Sequence, residues 1–132
     1  MSSTRKSPAN KYCLVIPGRG YRSRAQHAED YRSRIRKIAL KRIPEPFDGR
    51  VTMKIEYVYS NPRHLLDSDN LSKTICDALK GVAYRDDSQV RRKEITLINR
   101  NEDFTIRGIP LTLQIAELFA NKESFTIIRL RG

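Results

Sequence analysis

Cysteine and histidine are scarce in this chain, two of each in 132 residues, and the scarcity removes several chemistries at once. Cys13, Cys76, His27 and His64 do not fall at spacings that build a zinc site. The two cysteines allow one disulfide at most. With no apolar export segment in "MSSTRKSPAN", the expectation is a pair of reduced, partly buried thiols in a cytoplasmic protein. Long apolar runs are also missing. None approaches the ~18 residues of a membrane-spanning helix, so no membrane association is expected. Repeats and low-complexity stretches are absent. The length suits one domain, read as a loose basic tail over 1–10 and a folded unit over 11–132.

Carboxylates are the other shortage. Fifteen Asp and Glu face 26 Lys and Arg, a formal net charge of +11. The imbalance sits early: residues 1–50 hold 13 basic against 4 acidic side chains, and residues 101–132 hold 4 against 4. Such an excess attracts a polyanion, because each phosphate contact releases counterions. Nucleases, ribosomal proteins and membrane-surface proteins share this profile, so charge names a class of ligand and no activity.

Hydrophobic periodicity supplies the elements. Residues 12–16 read as a short buried strand closed by Pro17 and Gly18. Over 25–43, Tyr31, Ile35, Ile38, Ala39 and Ile43 recur at helical spacing. Arg32, Arg34, Arg36, Lys37 and Lys41 lie on the opposite face of that helix, and Pro44 ends it. In "VTMKIEYVYS", Val51, Met53, Ile55, Tyr57 and Tyr59 share one face of a strand, opposite Thr52, Lys54 and Glu56. A loop over 61–67 leads to a second helix over 69–80, with Gly81 as its stop. "EITLIN", "IPLTLQIAEL" (alternating through Leu111, Leu113 and Ile115) and "SFTIIRL" read as strands. The fold class expected is α+β: one mixed sheet with two helices on one face.

Against the basic background, five of the fifteen acids crowd into 67–87: Asp67, Asp69, Asp77, Asp86 and Asp87. Neighbouring like charges repel by about 1 kcal/mol in water and more near a protein surface, so something must offset them. On the second helix, Leu71, Ile75, Ala78 and Leu79 form the core side, and Asp69, Lys73, Asp77 and Lys80 the outer side. Two or three converging carboxylates without a histidine or thiolate suit a hard cation, Mg²⁺ above all. A returning strand would bring Asp86 or Asp87 beside Asp67 and Asp69. Asp77, about 12 Å along the axis from Asp69, cannot share that ion and is expected to pair with Lys73 or Lys80. Lys73, one turn from Asp69, would face the phosphate and stabilise transition-state charge, the arrangement of a phosphodiester hydrolase.

Each residue also has a plainer reading. Asp67 and Asp69 can cap a helix, Asp86–Asp87 can be a turn, and Lys73 a surface lysine. Tyr57 and Tyr59 suit a core, Arg19, Arg22 and Arg24 a solvated loop, and His64 a loop position without a task.

Taken together, "DSDNLSKTICDALKGVAYRDDSQV" (67–90) resembles the signature of the RusA family of Holliday junction resolvases. That pattern, D-x-D-N-x-x-K-x-x-x-D-A-L, a glycine and a short apolar run, then D-D-x-Q-V, is met at Asp67, Asp69, Asn70, Lys73, Asp77, Ala78, Leu79, Gly81, Asp86, Asp87, Gln89 and Val90. The resemblance implies a Mg²⁺-dependent endodeoxyribonuclease that works as a homodimer on branched DNA. It places paired symmetric nicks in four-way junctions during recombination and repair. It also implies that Asp67, Asp69 and Asp87 are catalytic metal ligands, with Asp86 a further candidate, and that Lys73 is the catalytic lysine. From the basic excess, Arg19, Arg22, Arg24, Arg63 and Lys73 are the candidate DNA contacts. Leu66 stands where the family often has a basic residue, and the loop after the first strand is shorter than the family's. The rival readings are a basic nucleic-acid-binding module without catalysis and a Mg²⁺ nuclease preferring flaps or forks.

Overall fold

The computed structural model describes residues 10–21, 26–102 and 112–132; Arg22, Arg24 and Leu111 lie outside them. The described elements run β1 (Lys11–Pro17), α1 (Ala28–Arg42), β2 (Val51–Tyr59), α2 (Ser68–Leu79), β3 (Val90–Asn99), α3 (Leu113–Ala120) and β4 (Phe125–Arg131). The strands form one sheet in the order β1-β4-β2-β3. β4 lies antiparallel between β1 and β2, whereas β2 and β3 are parallel. A parallel pair needs a crossover, and α2 supplies it by running back along the sheet. The mixed α+β sheet expected from the sequence is the one found.

Alternation on β2 builds the core. Val51, Met53, Ile55 and Tyr57 are fully buried beneath α1 and α2, with Leu14 and Ile16 of β1 and Ile128 and Leu130 of β4. On α2, Leu71, Ile75, Ala78 and Leu79 are fully buried, each large side chain contributing about 1.5–3 kcal/mol, while Asp69, Lys73, Asp77 and Lys80 are exposed. Gly81 follows the helix with φ +87°, a left-handed conformation that costs little only for glycine. α1 ends before Pro44 as expected, with acidic residues in its first turn and basic ones in its last, the arrangement its dipole favours.

The segment "IPLTLQIAEL" departs from its expected strand. Residues from Leu113 onward form α3, capped by Thr112, whose hydroxyl accepts the Ile115 N–H at 3.2 Å. The side chains that bury, Ile115 and Leu118, are three apart, a helical spacing. Leu118 and Phe119 pack on Val58, Ile98, Phe125 and Ile127, which lie on the sheet face away from α1 and α2. That face is therefore covered at one end, and on the same face Glu56 is buried and paired with Arg129.

Candidate active site

β1 and β2 both run antiparallel to β4, so their carboxyl ends meet at one edge of the molecule. The loops leaving them are tied together by the Tyr57 phenol. It accepts the Gly20 N–H at 3.0 Å and donates to the His64 carbonyl at 2.8 Å. A Cβ on Gly20 would meet Leu71 Cδ1 at 2.7 Å, so any larger residue there would have to displace that side chain. Burial pushes the Tyr57 phenol up, which keeps it protonated as a donor. The Ser124 hydroxyl adds a second tie, accepting the Ser60 N–H at 3.0 Å and lying 3.0 Å from His64 Nδ1. Partial burial and the Arg19 cation hold the His64 imidazole below its usual range, so it is neutral at physiological pH. His64 thus has the task of holding a loop. Arg19, stacked 4.5 Å over Tyr21, and exposed Arg63 flank this end of the sheet.

From this clamp the chain enters α2 through Asp67. Its backbone is extended, and Oδ1 accepts the Asp69 N–H at 2.8 Å. The capping reading is therefore correct for one oxygen of Asp67, worth about 1 kcal/mol. Asp69 sits in the first turn, exposed, at the positive end of the helix dipole. A groove of 340 Å³ runs along α2 beside β3, lined by Asp69, Ser72, Lys73, Cys76, Asp77, Asp87, Val90 and Lys93. Lys93 was not singled out in the sequence. A register shift between Val51 and Thr52 sets Lys93 opposite Met53, on the helix-covered side of the sheet, and a linear reading of β3 does not reveal that shift.

Asp87 lies at the far end of the same groove. It opens the turn Asp87–Gln89 just before β3, and its Oδ2 is 4.0 Å from Lys80 Nζ. Asp69 and Lys80 are eleven residues apart, about 16 Å along a helix axis. The expected convergence of Asp87 on Asp67 and Asp69 is thus not formed within one chain. Among the described residues no three Asp, Glu, His or Cys side chains are placed to hold a metal together. Lys80 pairs with Asp87 rather than Asp77, and among the described residues no ion pair engages Asp69, Lys73 or Asp77. Asp86 caps its turn, accepting from the Ser88 N–H at 3.0 Å and the Ser88 hydroxyl. Those bonds hold its carboxyl below the usual range. Gln89 accepts the Arg85 and Asp86 N–H groups and donates to the Phe47 and Gly49 carbonyls, fastening this turn to the chain before β2. Cys13 and Cys76 are unpaired.

Asp69, Lys73 and Lys93 line one groove, and exposed Asp67 stands two residues before Asp69 at the start of α2. A family model described as endodeoxyribonuclease RusA matches residues 17–107, and the chain belongs to that family. The match spans β1's last residue through β3, including both ends of the groove. Nucleases of the family generally depend on a divalent metal. No curated protein matches the chain in sequence. No helix among the described residues is long and apolar enough to cross a membrane.

Proposed function

We propose that this chain is a structure-selective endodeoxyribonuclease that resolves four-way DNA junctions as a homodimer, with Mg²⁺ as cofactor. The observation that carries the reading is the exposed Asp67–Asp69 pair at the start of α2, with Lys73 one turn further along the same groove. The second oxygen of Asp67 and both of Asp69 are hard donors, the set Mg²⁺ takes when waters and phosphate complete its shell. Once bound, the ion supplies a water of lowered pKa and neutralises phosphate charge. Lys73 would stabilise negative charge on the phosphate oxygens, and Lys93 would hold the strand in the groove. Arg19 and Arg63 would grip flanking phosphates at the loop end.

Asp87 completes the carboxylate set from a second copy. Within one chain it is separated by nearly the length of α2, whereas a C₂ dimer can bring the foot of one groove to the head of the other. Two such sites on a two-fold axis match the two strands a junction resolvase must nick. Mixing decides this: Asp69→Asn and Asp87→Asn, each inactive alone, regain nicking of one strand when co-refolded if the site is shared between copies. Continued inactivity of verified mixed dimers would contradict the assignment.

The capping bonds of Asp67 and Asp86 are the observation favouring the rival, a binding module without catalysis. A labelled panel of four-way junction, fork, flap and duplex DNA separates the readings. Junction cutting only with Mg²⁺ supports ours, fork or flap preference supports the neighbouring nuclease, and metal-independent binding with no cutting supports the module.

A further inference from the structure

The sheet face opposite α1 and α2 carries a charge pattern that the groove does not use. At the end away from α3, it presents Lys11 of β1, Arg129 and Arg131 of β4, Lys54 of β2 and Arg92 of β3, lining a concavity of 530 Å³. Lys11 stands directly opposite Arg131, and Lys54 directly opposite Arg129. Like charges facing each other across strands destabilise a sheet. Two carboxylates answer the five cations: Glu56 is taken by Arg129, and Glu94 by Arg92 at 3.0 Å. Among the described residues no carboxylate pairs with Lys11, Lys54 or Arg131, and Arg129 Nε is a buried donor with no acceptor.

From this juxtaposition we infer that the face is a second nucleic-acid surface, binding the phosphodiester backbone of a duplex arm away from the cleavage groove. A polyanion relieves the repulsion between the facing cations, and counterion release supplies the affinity. The same charge argues against a second copy of the chain here, since an isologous contact would set this cationic face against itself. β3, the outermost described strand on this side, shows cations on both faces, Lys93 in the groove and Arg92 on the basic face. A duplex arm passing its edge is thereby held from both sides. The inference rests on the reading of the chain as a branched-DNA nuclease and extends its footprint.

The test uses the full chain, a fluorescein-labelled four-way junction and metal-free buffer, with affinity measured across salt concentrations. Lys11→Ala/Lys54→Ala/Arg131→Ala is expected to weaken binding and to flatten the slope of log affinity against log salt by about 2.7, three contacts at about 0.9 each. Lys11→Arg/Lys54→Arg/Arg131→Lys keeps the charge and is expected to bind as the wild type does. An alanine variant with unchanged affinity and slope would overturn the inference while leaving the groove's assignment intact. If sedimentation then shows altered self-association, the face belongs to a second copy. A wild-type chain that binds no junction DNA sinks the underlying reading as well.

Discussion

Asp69→Asn is expected to lower Mg²⁺-dependent junction cleavage by more than about 10²-fold while leaving junction affinity in metal-free buffer nearly unchanged. Groups that merely orient a metal ligand cost 10- to 100-fold when removed, so loss of a ligand itself should exceed that. Asparagine keeps the size of the side chain and its place in the first turn, but it carries no charge and one oxygen. The helix should survive, because the bond that caps it comes from Asp67 and uses the main-chain N–H of residue 69. Removing one negative charge from a groove that faces phosphate lowers repulsion, so binding should hold or tighten slightly. Single-turnover cleavage beside an anisotropy titration measures both. Full cutting by the variant would remove Asp69 from the chemistry.

Glu56→Ala has the largest expected effect on stability. The Glu56 side chain is 5 % exposed and its partner Arg129 21 %, and they meet diagonally across β2 and β4. Deleting the carboxylate leaves a largely buried guanidinium whose Nε already lacks an acceptor. Breaking such a pair from one side typically costs 3–5 kcal/mol, and about 3 is expected here because Arg129 retains some water. For a domain of this size that lowers the melting temperature by roughly 10 °C. Glu56→Ala/Arg129→Met removes the stranded charge and should recover much of the loss. A single variant melting within about 2 °C of the wild type would show the pair to be energetically idle.

What the sequence revealed depended on whether the signal was local. α2 and its exposed stripe were legible because Leu71, Ile75, Ala78 and Leu79 repeat at helical spacing and Gly81 marks the end. The alternation of β2 likewise placed its buried face. α3 was misread because three alternating residues mimic a strand, while Ile115 and Leu118 lie at helical spacing behind the Thr112 cap. The burial of Glu56 was not legible because its partner Arg129 lies 73 positions away.

At the site, the motif gave identities without distances. Asp69 and Lys73 are neighbours because one helix turn joins them, and Asp67 joins them as the residue that caps that helix. Asp87 is placed by the path of residues 80–89, and there two features decide. Gly81 turns the chain with positive φ, and Gln89 ties the Asp86–Gln89 turn to the Phe47 and Gly49 carbonyls at the foot of the sheet. No residue spacing encodes that path.

The central claim is that Asp67, Asp69 and Asp87 gather around one divalent ion in the working enzyme. Substituting Fe²⁺ for Mg²⁺ and adding ascorbate with peroxide generates radicals at the ion, and these cut the backbone within a few ångströms of it. Mapped by mass spectrometry, the breaks should fall at 67–70 and at 86–88, and both sets should vanish in Asp69→Asn. Breaks at only one of these segments, or a pattern indifferent to the substitution, would contradict the account.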